Sequence, residues 1–312
     1  MYEAFYGLNR KPFSLTPDPD FLYLGKQHAV AMAMLEYGLT NQAGFTLITG
    51  EIGAGKTTMI RYLLKHIAQD CTVGVITNTH QKFGDLLSWI LWAFGLDTGD
   101  KDKVTMYERL VDFVAQQHAN GSRVVLIVDE AQNMDTWTLE ELRLLSNINI
   151  TEQVMLQLIL VGQPELSDIL ASNELRQLAQ RISVEHHVNA LDFNETRNYI
   201  NHRVTVAGGK VELFDRYALA AIDYYCRGIP RSINNICDMC LVYGFAEEQT
   251  LITVDLVLDV IRAKRIIRQL IAAAKPDPDR ERLREMVLEI KGVDIALPEL
   301  AGPDPIRESQ SR

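Results

Sequence analysis

The feature that most constrains this chain is a glycine-rich segment between a short apolar run and a helix-like run. The segment reads Gly50, Glu51, Ile52, Gly53, Ala54, Gly55, Lys56 and Thr57, which fits the pattern G-x-x-x-x-G-K-[ST]. The run 45–48 before it is of β type, and the run 58–64 after it has helical character. A strand, a glycine loop and a helix in this order bring backbone N–H groups and a helix N-terminus around phosphate groups. We therefore predict a phosphate-binding loop rather than a chance glycine-rich turn.

The loop predicts a site for a nucleoside triphosphate, which we expect to be ATP with Mg²⁺. The backbone of residues 50–57, together with Thr58, is expected to hold the phosphates. Lys56 is expected to contact the β- and γ-phosphate oxygens, and the Thr57 hydroxyl is expected to ligate Mg²⁺.

Two acids follow the apolar run 124–128 directly. Asp129 and Glu130 would lie at the carboxyl end of a buried strand, where open α/β folds bind their ligands. Beside a phosphate loop, we expect Asp129 to hold Mg²⁺ directly or through water, and Glu130 to polarise a water for attack on the γ-phosphate. The alternative, two acids that cap a strand at the surface, fits the order of elements less well. The pair indicates an ATP hydrolase rather than a binding protein.

Three further positions are candidates for the same site. Gln163 follows the apolar run 155–161 and is expected to sense the γ-phosphate or orient the water; the alternative is a turn residue before Pro164. Arg181, with Arg176 as the second choice, is a candidate arginine finger acting across a subunit boundary, and structural salt bridging is the alternative for both. Arg231 lies at the start of a predicted helix, from which it could point back at the nucleotide.

The order of elements predicts the fold class. Nearly all-apolar strands alternate with helices, which is typical of an α/β P-loop NTPase whose parallel sheet is sandwiched by helices. After residue 191 the strand-type runs vanish, and an all-helical lid domain is expected. The predicted organisation is an irregular lead-in to the nucleotide pocket (1–27), the nucleotide-binding domain (28–191), the helical lid (192–274) and a largely disordered tail (275–312).

Composition limits the class of protein. The 312 residues are 47% hydrophobic, and the longest apolar runs have five or six residues, well short of the roughly 20 that cross a bilayer. The N-terminus shows no export signal, so we expect a cytoplasmic protein without a membrane span. A net charge of −10 disfavours a surface that grips nucleic acid throughout. A local basic patch at 262–268 leaves DNA binding open, although a solvated helix face explains it as well.

Together these motifs resemble those of AAA+ ATPases, and more narrowly those of the ExeA/GspA group. The stretches that carry the narrower resemblance are Met1–Leu8, Pro12–Pro19, Asp129–Asn133, Leu139–Asn147 and Gly162–Leu166. The resemblance implies that Asp129 and Glu130 form the Walker B pair, and that Gln163 takes the sensor 1 position. It implies the finger role for Arg181 and the sensor 2 role for Arg231.

ATPases of this group are associated with general secretion, with type IV pilus biogenesis and with exosortase-linked exopolysaccharide systems. Secretion-type members often continue into a transmembrane helix and a periplasmic domain, whereas this chain ends in a short charged tail. The pattern is therefore closest to the exopolysaccharide-associated and MSHA-pilus-type members.

Two functions stay open at this point. The first is a homo-oligomeric ATPase, a ring or a filament, that assembles or regulates cell-envelope export or polysaccharide machinery. The second is a DNA-associated ATP switch that resembles transposition regulators. A nucleotide-binding scaffold without turnover is disfavoured by the intact Glu130.

Overall fold

The chain divides into two units. A computed structural model describes residues 1–67, 70–77, 85–98, 102–148, 154–264 and 277–296. One unit is Lys26–Asn189, and the other joins Met1–Gly25 to the residues from Ala190 onward. Within the described residues, no helix combines the length and the apolar composition that a bilayer span requires.

The first unit is an α/β domain. Its strands are β1 (Phe45–Gly50), β2 (Cys71–Ile76), β3 (Arg123–Val128), β4 (Leu156–Gly162) and β5 (Ile182–Val188). Its helices are α1 (Lys26–Thr40), α2 (Lys56–His66), α3 (Leu86–Ala93), α4 (Lys103–Ala119), α5 (Thr136–Leu145), α6 (Pro164–Leu170) and α7 (Arg176–Ala179). The helix predicted from Phe83 begins outside the described residues, which resume at Asp85 before α3.

The five strands form one parallel sheet in the order β2-β3-β4-β1-β5. The strand β1 is therefore flanked by β4 and β5, and its register aligns Thr49 with Gly162 and Gly50 with Val188. Since parallel strands end at the same edge, the segments that follow β1, β3 and β4 meet at the carboxyl edge of the sheet.

Both faces of the sheet are buried. Successive side chains of a strand point to opposite faces, and all five residues of β3 from Val124 to Val128 are buried. A strand that is apolar at every position needs cover on both sides, as the helices of a doubly covered parallel sheet provide. This confirms the predicted fold class for the sheet and its layers.

Short polar side chains fix where several helices begin. Asp102 and Asp135 accept the backbone N–H groups of Thr105 and Thr138 and so cap α4 and α5. An aspartate at this place satisfies an N–H group that has no partner inside the helix and complements the helix dipole. The helices predicted from the sequence at 105–118 and 138–146 differ from α4 and α5 by at most two residues at each end.

The strand β5 was not predicted from the sequence. Its burial alternates irregularly, and it carries Glu185, His186 and His187 where a central strand would carry apolar side chains. The strand lies at the edge of the sheet beside β1, so only one neighbour is required and polar residues are tolerated. A search for apolar runs does not detect such a strand.

The second unit is helical. Its helices are α8 (Phe193–Val206), α9 (Arg216–Cys226), α10 (Pro230–Ala246), α11 (Val254–Ala263) and α12 (Pro278–Lys291). They share one apolar core, in which Ile200, Ile222, Ile236 and Val257 are fully buried. A capping box formed by Asp192 and Glu195 sets the start of α8.

The N-terminal segment belongs to this helical unit. Tyr2, Tyr6, Phe13 and Phe21 lie in the helical core, and the Tyr6 hydroxyl donates to the carbonyl of Gln249 at 3.0 Å. Residues 1–27 are predicted as a lead-in to the nucleotide pocket, and the structure assigns 1–25 to the helical unit. A role of this segment at the pocket stays a prediction.

Part of the proline-rich tail is ordered. Residues 277–296 contain α12, whose Val287 is fully buried in the helical core together with Ile295. Arg284 forms an ion pair with Asp294 at 2.7 Å, which closes the turn after the helix. The sequence left a short helix at 280–291 open within this tail, and that helix is present. Disorder of the remainder stays a prediction, since 297–312 lie outside the described part. Of the basic patch 262–268, the described Arg262 is exposed and pairs with Asp259.

Candidate functional site

The phosphate loop joins β1 to α2 in the conformation that its glycines permit. Gly53 and Gly55 have φ angles of 81° and 97°, in a region that other residues rarely adopt. Gly55 is also the N-cap of α2 and provides no side-chain cap, so N–H groups of the first turn are left for a ligand. At Gly50 a Cβ atom would lie 2.7 Å from the carbonyl oxygen of Val188, which explains glycine at the first position.

Lys56 is folded into its own loop. Its Nζ donates to the carbonyl oxygens of Gly50 at 2.6 Å and Glu51 at 3.0 Å, and the residue is only 5% exposed. Burial lowers the pKa of this ammonium, and the nearby carboxylates of Glu130 and Asp129 partly counteract that effect. The loop thus encloses a fixed positive charge at the end of β1, where phosphate groups are expected.

Thr57 and Asp129 are brought into direct contact. The Thr57 hydroxyl donates to Oδ2 of Asp129 at 2.8 Å, and the backbone N–H of Glu130 donates to Oδ1 at 3.0 Å. Asp129 is 4% exposed, and burial raises the pKa of its carboxyl group, while these two hydrogen bonds act in the opposite direction. The strand β4 separates β1 from β3, so the pair is made across the end of β4.

The donor set fits a magnesium ion of the P-loop type. Hydroxyl and carboxylate oxygens are the ligands that Mg²⁺ prefers, and this ion keeps several waters and phosphate oxygens in its shell. Thr57 and Asp129 present such oxygens side by side. Among the described residues no cluster of three or more metal-binding side chains occurs. A P-loop Mg²⁺ does not require one, because the nucleotide supplies the remaining ligands.

Glu130 has an unusual backbone and a fixed carboxylate. Its φ and ψ angles of 56° and 38° place it in the left-handed region, which is uncommon for a residue with a side chain. Its Oε2 accepts from Nε2 of Gln163 at 3.1 Å and from Nε2 of Gln132 at 2.6 Å. The structure therefore brings together the two predicted residues, Glu130 and Gln163, at the ends of adjacent strands.

Two contributors were missed by the sequence reasoning. Gln132 links Glu130 to the backbone of Gln163, and no spacing rule assigns a role to the second residue after a Walker B glutamate. His28, in α1, donates from Nε2 to the carbonyl of Ala54 at 2.8 Å and is 4% exposed. A carbonyl oxygen only accepts, which fixes the proton on Nε2. Since His28 lies 22 residues before Gly50 in the sequence, no local pattern indicates this contact.

Of the two candidate finger arginines, Arg181 lies far from the phosphate loop of its own chain. Arg181 directly precedes β5, whose first residue Ile182 is aligned with Phe45, five residues before Gly50. Arg181 lies one residue further from the loop, so at about 3.3 Å per residue it is roughly 20 Å away, at the opposite edge of the sheet. Arg176 begins α7, close before it in the chain.

These arginines differ in their surroundings. The Nη1 of Arg181 donates to Oγ of Ser146 at 2.8 Å and to the carbonyl of Arg143 at 3.3 Å. Arg176 is exposed, and it forms no ion pair with another described residue. Arg181 cannot reach the phosphates of its own loop. The third candidate, Arg231, is exposed in the first turn of α10, in the helical unit.

Comparison with known proteins identifies the domain. Residues 39–170 match the family model AAA_22, described as an AAA domain. General secretion pathway protein A of Aeromonas hydrophila is 41% identical over 248 residues, which are 79% of this chain and 45% of that protein. The chain thus spans less than half the length of this curated relative. The predicted resemblance to the group that contains this relative is confirmed.

Solved structures show the same fold. The ORC2 protein of Aeropyrum pernix in ADPNP–ADP complexes has a TM-score of 0.63 at 18% identity, covering 93% of this chain and 86% of that one. Cdc6p of Pyrobaculum aerophilum has a TM-score of 0.63 at 13% identity, covering 92% and 86%. At such low identity these likenesses concern the fold alone. They agree with a P-loop AAA domain followed by helices.

Proposed function

We propose that this chain, an AAA protein of the ExeA/GspA group, hydrolyses ATP with Mg²⁺ and does so as part of an oligomer. The observation that carries the proposal is the position of Glu130. It directly follows Asp129, which is hydrogen-bonded to Thr57 in the pair that fits Mg²⁺, and its carboxylate accepts a hydrogen bond from Gln163. A magnesium nucleotide would supply an activated γ-phosphoryl group at this edge of the sheet. The residues of the chain then have to bind it, orient a water and neutralise charge.

Each residue of the site has one of these tasks. The loop N–H groups and Lys56 hold the phosphates, and Lys56 must exchange its bonds to Gly50 and Glu51 for bonds to phosphate oxygens. The Glu130 carboxylate accepts a proton from the attacking water, and the Gln163 amide fixes the carboxylate and senses the γ-phosphate. Arg231 has the sensor 2 role by resemblance.

The arginine finger requires a second copy of the chain. Charge that develops on the γ-phosphate is neutralised best by a guanidinium, and Arg181 lies at the wrong edge of its own sheet to provide one. We therefore assign Arg181 to the site of a neighbouring subunit in a ring or filament. Its two hydrogen bonds to α5 orient the guanidinium before it meets a partner.

Our proposal for the process that ATP hydrolysis drives rests on the name of the similar curated protein. General secretion pathway protein A carries the word secretion in its name, and 41% identity over the shared region supports a related task. We propose that the chain acts in the cytoplasm on cell-envelope export machinery of the secretion, pilus or exopolysaccharide type. A DNA-bound switch is the competing function, and the net charge of −10 speaks against it.

Phosphate release tests the enzymatic part. The wild type should hydrolyse ATP only with Mg²⁺, and Glu130→Gln should lower kcat by about 10² to 10⁴ while ATP stays bound and oligomers accumulate. Glu185→Gln, the same change at an exposed residue of β5, is the matched control and should leave kcat unchanged. Unchanged turnover in Glu130→Gln would show that Glu130 is not the base.

Two further measurements test the process. Cells that lack the gene should lose export of an envelope component, and the wild-type gene but not Glu130→Gln should restore it. Titration of the purified protein with duplex DNA in ATP should show no complex. An ATP-dependent complex whose affinity falls steeply with added salt would favour the DNA-bound switch instead.

A further inference from the structure

Gln132 makes hydrogen bonds that tie together two strand ends. It lies in the short 3₁₀ helix Ala131–Asn133, directly after the Walker B acids. Its Nε2 donates to Oε2 of Glu130 at 2.6 Å, and its Oε1 accepts the backbone N–H of Gln163 at 3.1 Å. The two ends of the amide thus face an acceptor and a donor respectively. A flipped amide would place its oxygen against the Glu130 carboxylate and its NH₂ group against the N–H of Gln163, so only one orientation makes both hydrogen bonds.

The N–H group from which Gln132 accepts belongs to Gln163, the residue directly after β4. The last residue of β4, Gly162, is paired with Thr49 of β1. Gly162 also leaves the space for this amide, since a Cβ atom there would lie 2.9 Å from Oε1 of Gln132. The amide of Gln132 is therefore bonded to the backbone where β4 ends.

Glu130 depends on such support. A residue with a side chain in the left-handed region is strained, and the strain persists only where neighbouring groups determine the conformation. Both amides, from Gln132 and from Gln163, donate to the same oxygen, Oε2. Two donors on one oxygen determine which way the carboxylate faces.

We propose that Gln132 is a positioning residue for Glu130, which it aligns against the end of β4. The proposal rests on the proposed hydrolysis with Glu130 as the base. It assigns to Gln132 a role distinct from that of Gln163: Gln163 holds the carboxylate through its side chain alone, whereas Gln132 also ties it to a backbone N–H group. Displacement of a base by about 1 Å can cost on the order of 10²-fold in rate.

Three measurements on Gln132→Ala test the proposal. The value of kcat for ATP hydrolysis should fall by about 10- to 100-fold. The dissociation constant for ATP and the melting temperature should stay near those of the wild type, because the hydrogen bonds of the Gln132 side chain go to Glu130 and Gln163 and not to the phosphate loop. A merely structural role would lower the melting temperature and the affinity together with kcat.

Gln132→Glu provides a signature that a structural role does not produce. The substitution has almost the same shape and still accepts from the N–H of Gln163, but it faces the Glu130 carboxylate with an oxygen instead of a donor. The kcat should be low at pH 8 and recover as the pH falls, since the introduced carboxyl group regains a donor when it is protonated. The carboxylates that act on Lys56 at this site are those of Glu130, Asp129, Glu51 and Glu165. Gln132→Ala should show no such recovery relative to the wild type.

The outcomes separate this inference from the proposed function. If Glu130→Gln is inactive while Gln132→Ala keeps its kcat within twofold of the wild type, Gln132 is not a positioning residue and the proposed hydrolysis stands. A parallel loss of kcat, affinity and melting temperature in Gln132→Ala overturns the inference in the same way. If Glu130→Gln is as active as the wild type, both proposals are wrong.

Discussion

The hydroxyl of Thr57 donates to Oδ2 of Asp129 at 2.8 Å, so the first turn of α2 is tied to the residue that follows β3. The other carboxylate oxygen is occupied by the N–H of Glu130. Both partners are oriented by backbone elements, which means that the Mg²⁺-type pair is formed by the fold before any ligand arrives. This arrangement leaves the Asp129 carboxylate almost fully buried, which is unfavourable for a charged group.

Asp129→Asn should raise the melting temperature of the nucleotide-free protein by a few degrees and abolish the further rise that MgATP causes. Burial raises the pKa of Asp129 above that of the unfolded chain, so the folded state favours the protonated form. The stability that this group contributes is present at low pH and is lost as the pH rises through the raised pKa. At pH 7 an asparagine avoids the charge and still accepts a hydrogen bond, but it is a poor Mg²⁺ ligand.

Scanning calorimetry from pH 4 to pH 8 checks this prediction. The advantage of Asp129→Asn over the wild type should shrink towards pH 4, near the ordinary pKa of an aspartate. Asp168→Asn, an exposed aspartate of the same unit, is the control and should melt like the wild type. A variant that melts at or below the wild type at every pH would contradict the prediction.

His28→Ala should weaken nucleotide binding by about fivefold to tenfold. The imidazole donates to the carbonyl of Ala54, and its Nε2 lies 3.2 Å from the place of a Cβ atom on Gly55, so it supports the loop at its tightest turn. The loss of one buried hydrogen bond is worth about 1 kcal/mol. The dissociation constant of a fluorescent ATP analogue measures the effect.

His28→Gln and His66→Ala serve as comparisons for that measurement. The glutamine keeps an amide donor on a side chain of similar reach and should recover part of the affinity. His66 is exposed at the end of α2 and should be neutral. Equal affinities of His28→Ala and the wild type would show that the loop keeps its shape without the imidazole.

The phosphate loop and the central strands were predictable because local rules determine them. The run 124–128 is apolar at every position, as a strand with two covered faces must be. The loop glycines are required by the positive φ angles of the backbone at their own positions. The strand β5 was not predictable in this way, because an edge strand bears Glu185, His186 and His187. Its place beside β1 follows from pairing across more than 130 residues.

Contacts between distant segments explain the other gaps. Gln132 acquires its role from the N–H of Gln163, and His28 from the carbonyl of Ala54; neither contact has a signature in its own neighbourhood. The N-terminal aromatics Tyr2 and Phe13 pack in a core formed by residues beyond 190, which no pattern in their own neighbourhood indicates. Periodicity tells which side chains are buried, but not which core contains them.

Arg181→Ala should abolish the rise of the ATPase rate per subunit with protein concentration. If Arg181 completes the site of a neighbour, the rate of the wild type should increase as subunits meet, by up to about 10³-fold over the isolated chain. Arg176→Ala removes an exposed arginine five residues earlier and should leave the rise intact. The rate is measured over a dilution series, together with the mass of the protein by light scattering.

The two arginine variants need a stability check, because Arg181 also bonds to Ser146 and to the carbonyl of Arg143. Arg181→Lys keeps a cation but loses the planar fork, so it should also lose most of the rise while melting closer to the wild type. If Arg176→Ala removes the rise and Arg181→Ala does not, the two assignments are exchanged. A rate independent of concentration in a monomeric protein would exclude an arginine supplied by a neighbour.

Gly228→Ala should destabilise the helical unit by about 3 kcal/mol or more. Gly228 has a φ angle of +69°, and a Cβ atom there would lie 1.9 Å from the carbonyl oxygen of Leu191. Its own carbonyl accepts the N–H of Leu191 at 2.9 Å, so the two backbone segments cannot separate without losing that bond. The left-handed conformation costs a residue with a side chain about 1–2 kcal/mol, and overpacking adds about 1–3 kcal/mol.

Gly292→Ala is the matched control, since it has nearly the same φ angle of +68° but nothing within 4 Å of the added atom, and it should show the conformational cost alone. Urea unfolding followed by circular dichroism compares the two variants, and equal losses for both would mean that the segment around Leu191 moves aside at no cost.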